Sequence, residues 1–276
     1  MYRFPTLPPI ADDANKYTRG ALLILAGSYG YPGAAILCAR ASARSGAGYT
    51  LLGMPAEAAP FGKNQLQSIP VLAMGDGDFF DEQDLKKIEP LLGRYNAVVC
   101  GPGIGVQKST HRFVEQLLES IPSPLLLDAD ALNCIDNKRM VKALQQRLAP
   151  TILTPHGGEL LRLYQNVEVN TPKALAQVTG SVVVAKGPDT VICDSQTTIK
   201  VSNGTAALAK AGTGDVLAGV IGGLLAQGMV PFDAAVAGVY LHAEAGVKAE
   251  AKIGRRSVVA GDVTKFLVSA IKDLEK

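Results

Sequence analysis

Short, wholly apolar runs alternate along the chain with stretches whose apolar residues recur at helical spacing. The first run, Ala21-Leu22-Leu23-Ile24-Leu25-Ala26, has no polar position and predicts a strand buried on both faces. It ends in Gly27-Ser28, and Tyr31-Pro32-Gly33 then opens an Ala-rich helix to about Ser45, closed by Gly46-Ala47-Gly48. Tyr49 to Leu52 reads as the next strand, which completes a βαβ opening. Residues 55–80 keep no clear period and read as turns. Asp84 to Leu92 predicts a helix, Asn96 to Cys100 a strand, and Thr110 to Ser120 a helix with Phe113, Leu117 and Leu118 on one face. Strands follow at Leu125–Leu127, Thr151–Leu153 and Val182–Ala185, with helices at Lys138–Leu148, from Glu159 through Leu163, and at Pro172–Thr179 behind a Thr171 cap. Val191-Ile192-Cys193 and Thr198-Ile199-Lys200-Val201 pair as a hairpin around Asp194-Ser195-Gln196. Three helices, 215–227, about 233–251 and 261–273, close the chain.

Regular alternation of strand and helix predicts an α/β fold, a mostly parallel central sheet with helices on both faces. No linker, repeat or low-complexity stretch divides it, so one domain over 1–276 is expected, with Pro-rich residues 1–19 as an arm on the surface or on a neighbouring subunit. Ligands bind beyond the carboxyl ends of the strands in such sheets. Six glycine-rich or polar loops fall at those ends, which argues that they form one site.

Composition narrows the function classes. Apolar residues make up 47%, enough for a substantial core. With 27 basic against 25 acidic residues the net charge is +2, which gives no electrostatic case for nucleic acid or a membrane surface as partner. Cys38, Cys100, Cys134 and Cys193 are scattered, with no C-x-x-C pair, and read as buried free thiols in a reducing compartment. No stretch reaches transmembrane length without Gly, Pro or charge, and no apolar leader follows the N-terminus, so a cytoplasmic protein is expected.

The densest chemistry lies in Lys210-Ala211-Gly212-Thr213-Gly214-Asp215-Val216-Leu217-Ala218-Gly219. Small residues enter a helix start there, whose bare N–H groups and positive dipole end make an anion site at Gly212, Thr213 and Gly214. Asp215 places a carboxylate beside it. An anion hole next to a base suits phosphoryl transfer to a hydroxyl. On this stretch alone Asp215 is equally a helix cap.

Other clusters carry paired readings. Gly101-Pro102-Gly103-Ile104-Gly105 has the wrong spacing for G-x-G-x-x-G and offers either a tight turn or a backbone surface for a ligand. Asp128 and Asp130, two apart after a strand, either face a metal or phosphate together or hold the turn with Asn133. His156 and Glu159 enter a helix; Glu159 either reaches Mg²⁺ through water or complements the helix end. Lys186-Gly187 either meets a nucleotide phosphate or is a solvated connection. No Walker loop or G-x-S-x-G motif occurs.

Leu125-Leu126-Leu127-Asp128-Ala129-Asp130-Ala131-Leu132-Asn133 and Ala211 to Gly219 resemble the two signature stretches of the NAD(P)H-hydrate dehydratases. Gly27-Ser28 with Pro32-Gly33-Ala34-Ala35, Gly101 to Gly105, and Thr154-Pro155-His156-Gly157-Gly158-Glu159 resemble the same family in the same order, over roughly residues 15–270. The resemblance implies a ribokinase-like fold and dehydration of hydrated NADH or NADPH (NADHX, NADPHX) with ADP or ATP as phosphoryl donor. It implies Asp215 as base, Gly212, Thr213 and Gly214 around the transferring phosphoryl group, and Lys186, Gly187, Pro188, Asp189, Thr190 and Gly214 at the adenine nucleotide. It places Ala35, Gly103, His156 and Asp215 on the hydrated dinucleotide, Mg²⁺ at Glu159, and the chain in a homotetramer. Vitamin kinases of the same fold usually read Thr-Pro-Asn-x-x-Glu where this chain reads Thr-Pro-His-Gly-Gly-Glu. Gly157-Gly158 departs slightly from the family's frequent Pro-Gly. In the family's bifunctional proteins an epimerase domain comes first; nothing of that size precedes residue 20, so no epimerase activity is expected. A kinase of a small hydroxymethyl heterocycle and a non-catalytic nucleotide sensor are the competing readings.

Overall fold

The structure, a computed structural model, describes residues 3–136 and 138–275. Strands β1 (Ala21–Leu25), β2 (Tyr49–Pro55), β3 (Val71–Met74), β4 (Ala97–Cys100), β5 (Leu125–Leu127), β6 (Thr151–Leu153), β7 (Val182–Ala185), β8 (Thr190–Cys193) and β9 (Thr198–Val201) form one sheet in the order β3-β2-β1-β4-β5-β6-β7-β8-β9. The strands up to β7 pair in parallel; β8 and β9 add an antiparallel hairpin at the edge. Because β1 lies between β2 and β4, the strand order reverses there, and in such sheets ligands bind beyond the carboxyl ends of the strands at that point.

The helices are α1 (Pro32–Arg44), α2 (Ala59–Gln65), α3 (Glu82–Ile88), α4 (Lys108–Ser120), α5 (Asp130–Asn133), α6 (Lys138–Gln146), α7 (Gly157–Val167), α8 (Pro172–Thr179), α9 (Thr213–Ala226), α10 (Pro231–Ile253) and α11 (Ala260–Leu274). Alternation along each strand sends side chains into two cores. Leu22 and Ile24 of β1 join one with residues of α1, α9, α10 and α11. Ala21, Leu23 and Leu25 join the other with residues of α3, α4 and α6. Helix α9 is apolar almost all round and buried from Val216 to Ala226. It packs directly on α1, where a Cβ at Gly219 would fall 2.2 Å from the Cys38 carbonyl oxygen. Its last residue meets Gly20 at the start of β1, so α9 runs antiparallel to the strands and begins over their carboxyl ends.

Several expectations change. The turn-rich stretch 55–80 contains α2 and β3. Helix α2 is seven residues long and includes Pro60 and Gly62, and β3 is a half-buried edge strand, so neither leaves a clear period. The helix expected over Asp84 to Leu92 starts earlier, behind an Asp81 capping box, and tightens into a 3₁₀ turn over Glu89–Arg94, where Pro90 lacks the N–H to continue it. The arm keeps to the surface expected of it, where Phe4 packs edge-on against Tyr240 at 4.9 Å and Tyr17 against Tyr49 at 5.6 Å. The four cysteines are buried and free, and burial pushes each thiol pKa up. Among the described residues no helix is long and apolar enough to cross a membrane.

Candidate active site

The loops leaving β1, β4, β5, β6 and β7 are tied into one rim. Gly27 N–H donates to the Pro102 carbonyl at 2.8 Å, Gly105 N–H to Asp130 Oδ2 at 2.9 Å, and Lys186 N–H to the Pro155 carbonyl at 2.9 Å. Gly101 makes the closest crossing possible. Its φ is +133°, and a Cβ there would lie 1.8 Å from the Asp128 carbonyl oxygen.

Asp128 and Asp130 do not share a face. Ala129 between them takes φ +49°, a left-handed turn that breaks strand alternation, and the short helix α5 begins at Asp130. Asp130 therefore holds the β4 loop through Gly105, while Asp128 turns into the site. Asp128 Oδ1 accepts from Lys186 Nζ at 2.7 Å and from Thr154 Oγ1 at 2.7 Å, with the Asp128 side chain essentially inaccessible. Burial works against the Lys186 charge, but Asp128, Glu159 and Asp215 outweigh it and raise its pKa, which favours the ammonium form.

The β6 loop builds its own cap. Gly158 N–H donates to His156 Nδ1 at 3.0 Å, and His156 N–H donates to Glu159 Oε2 at 2.8 Å. An accepting Nδ1 assigns the ring proton to Nε2, which stands 3.2 Å from Glu159 Oε1. His156 is thus the N-cap of α7 and Glu159 its partner. Burial raises the Glu159 pKa, against the pull of Lys186.

At the start of α9 the cap position is Gly212, left-handed at φ +88°, and no side chain caps the helix. Thr213 Oγ1 is spent on the Leu208 and Lys210 carbonyls at 2.7 and 2.9 Å, and its N–H reaches the Lys210 carbonyl at 3.4 Å. The amides of Gly214 and Asp215 lie in the first helical turn, where helix geometry leaves N–H groups without intrahelical partners. Lys186 Nζ sits beside Gly214: a Cβ there would lie 3.4 Å from it. Asp215 stands at the third helical position, not at the cap. Burial, then the charge of Asp128, raises its pKa to about 7, with Lys186 opposing. A carboxyl near neutrality beside a cation and free amides can take a proton from a hydroxyl while an anion is held.

The remaining expected residues divide. Gly103 lies on the β4 loop against Tyr31, where a Cβ would come 2.9 Å from the Tyr31 carbonyl oxygen. Ala35 is fully buried beneath Gly27. Gly187 and Pro188 form an exposed loop; Thr190 Oγ1 donates back to the Gly187 carbonyl at 3.2 Å, and Asp189 turns away to Lys200 Nζ at 2.6 Å. Of the stretch 186–190, only the Lys186 side chain enters the anion pocket.

His242 went unassigned in the sequence. It is buried on α10 and lies 2.9 Å from the Thr213 carbonyl oxygen through Nε2. Burial lowers its pKa to about 4, so it is neutral, and Nε2–H donates to that carbonyl and braces the α9 turn. Nothing in its helical spacing marks more than a buried position.

A family model described as NAD(P)H-hydrate dehydratase matches residues 22–268. A bifunctional NAD(P)H-hydrate repair enzyme from Salinibacter ruber is 36% identical over 264 residues, 92% of this chain and 48% of the relative. The chain spans about half the length of the first curated relatives it matches. An ADP-dependent (S)-NAD(P)H-hydrate dehydratase from Neisseria meningitidis is 34% identical over 95% of this chain and 88% of its own. The Bacillus subtilis ADP/ATP-dependent NAD(P)H-hydrate dehydratase, co-crystallised with ATP and Mg²⁺, superposes with a TM-score of 0.80 at 30% identity, over 98% of this chain and 95% of that one.

Proposed function

The chain belongs to the NAD(P)H-hydrate dehydratase family, and we propose that it phosphorylates the hydroxyl of hydrated NADH or NADPH from ADP or ATP and then eliminates phosphate. One observation carries the chemistry: Asp215, with its pKa near 7, beside the Gly214 and Asp215 amides and the Lys186 ammonium.

The hydroxyl oxygen attacks the terminal phosphorus, the bond to the nucleotide's bridging oxygen breaks, and Asp215 takes the hydroxyl proton. The amides and Lys186 hold the phosphoryl oxygens as charge spreads over them. The C–O bond then breaks, phosphate leaves with the electron pair, and a proton lost from the neighbouring ring carbon restores the dihydronicotinamide double bond. In this reading the nucleotide meets the Lys186 ammonium, Gly214 and the backbone of the loop from Gly187 to Thr190. Gly103, His156 and the turn over Ala35 face the hydrated ring.

Mg²⁺ is held typically by one or two carboxylates together with substrate phosphates and waters. Among the described residues no cluster of three His, Cys, Asp or Glu could enclose a metal alone; Glu159, buried with both oxygens toward His156, would supply one hard-oxygen ligand to a site shared with nucleotide phosphates and water. When bound, the ion would neutralise charge on the nucleotide phosphates. The reading extends to one domain over 1–276, from the unbroken alternation of strand and helix, to a cytoplasmic setting, and to a homotetramer on the strength of the family resemblance.

The test mixes the protein with hydrated NADH, Mg²⁺ and either ADP or ATP and follows the absorbance of reduced nicotinamide. Recovery with release of free phosphate is expected. No recovery with either nucleotide would sink the reading, and a stable phosphorylated product would move it to a heterocycle kinase.

A further inference from the structure

The mechanism uses the sheet edge from β4 to β7 and α9. It leaves unused a group of aromatic side chains farther along the same edge, over β1 and β2. The chain has 7 Phe, 8 Tyr and no Trp. Among the described residues the exposed aromatics are Phe4, Tyr17, Tyr29, Tyr31 and Phe61. The first two belong to the arm and pack on Tyr240 and Tyr49. The other three stand beyond the carboxyl ends of β1 and β2, on the β1–α1 loop and on α2.

Tyr29 and Phe61 meet edge to face, 5.9 Å between centroids at 69°, yet remain 58% and 43% exposed. One comes from the β1–α1 loop and the other from α2, so the pair bridges the ends of β1 and β2. Tyr31, 66% exposed, stands on the same loop and touches Gly103 of the β4 loop, which links the aromatic lip to the site. Gly30 lies between the two tyrosines, and a Cβ there would meet no atom within 4 Å. The protein's own packing does not require that glycine; its bareness leaves the backbone between the rings open to a ligand.

We infer that Tyr29 and Phe61 form a stacking platform for the second base of a dinucleotide substrate, the ring system remote from the one that reacts. This rests on the dehydratase reading. The order of elements along the edge supports it: Lys186 and the nucleotide loop leave β7, the phosphoryl site lies over β5 and β6, Gly103 leaves β4, and the aromatic pair lies over β1 and β2. Three strand spacings separate β2 from β5, roughly 14 Å. Acceptor and donor nucleotides thus approach from opposite ends of the edge. A dinucleotide has a second base to place at that remove, whereas a mononucleotide or a small heterocycle has none. Aromatic faces suit a base of either ring type. Because the contact is remote from the reacting ring, it supplies binding in ground state and transition state alike and shows in KM with little change in kcat.

The test compares hydrated NADH with hydrated reduced nicotinamide mononucleotide on the wild type and on a Tyr29→Ala, Phe61→Ala double variant. The wild type is expected to prefer the dinucleotide. The double variant should raise KM for hydrated NADH by about 5- to 150-fold, the range that stacking of one base supplies. Its kcat, and its KM for the mononucleotide, should stay near wild type. Tyr29→Phe with Phe61→Tyr should retain the preference. An unchanged ratio of KM values overturns the platform, as does an equal loss on both substrates. A change in sedimentation of the alanine variant would assign the pair to contact between copies and likewise overturn it. A wild type that turns over neither hydrate removes the dehydratase reading itself, an outcome separate from the others.

Discussion

Two stretches of one sheet edge are built on opposite principles. Over β5, β6 and β7 the charged groups on the strand-end loops have counterparts: Asp128 with Lys186 and Thr154, Glu159 with His156, Asp130 with the β4 loop. Over β1 and β2 the rim is bare, with exposed Tyr29, Tyr31 and Phe61 and the unfilled Gly30. The first arrangement fixes charges where charge is transferred, since preorganised dipoles do not have to reorient during reaction. The second keeps apolar surface in water for a partner to cover. Asp215 belongs to the first region by position but not by pairing. It is the carboxyl that burial, and then the charge of Asp128, pushes toward neutrality.

Breaking the paired region has the largest expected cost. Lys186→Met leaves the Asp128 carboxylate buried against Thr154 without its cation, and should destabilise the fold by about 3–5 kcal/mol. A urea midpoint measured on wild type and variant checks this. A variant as stable as wild type would mean that the ion pair serves the ligand and not the fold. The alanine pair at Tyr29 and Phe61 should leave that midpoint near wild type, which sharpens the contrast between the two stretches.

A smaller effect is expected one layer behind the site. His242→Leu removes the donor to the Thr213 carbonyl, with an expected cost of about 1–3 kcal/mol and a lower rate as the Gly214 and Asp215 amides lose their brace. His242→Gln retains a donor and should recover part of both. If the leucine variant keeps wild-type melting and turnover, His242 does not position the turn.

What could be read from the residues follows from how each element is buried. The strand at Ala21–Leu25 shows plainly because both its faces are covered, so every position is apolar. Helix α2 and strand β3 escape notice because a short edge strand and a seven-residue helix with an internal glycine have little pattern to show. The anion pocket is legible as loops at strand ends, but its pairing is not. One left-handed residue, Ala129, decides that Asp128 and Asp130 part company, and nothing in its identity announces that conformation. The anion site is expected from the amides of Gly212, Thr213 and Gly214, and the residue types do not show that the Thr213 hydroxyl is committed to the Leu208 and Lys210 carbonyls. His242 reaches the site from a helix that follows it in the chain by a whole element, a contact only tertiary packing creates.

The central claim is that Asp215 is a base set apart from its paired neighbours. Its pKa is raised to about 7, so below that value the carboxyl is protonated and cannot accept the hydroxyl proton; above it the base is ionised and ready. The direct measurement is kcat/KM for hydrated NADH from about pH 5 to about pH 9, for wild type and Asp215→Asn. The account predicts that the wild-type value falls roughly tenfold per pH unit below about 7. It predicts that the variant is slower by about 10²–10⁴-fold near the plateau while still binding nucleotide. An Asp215→Asn enzyme that keeps near-normal turnover and the same pH profile would contradict it.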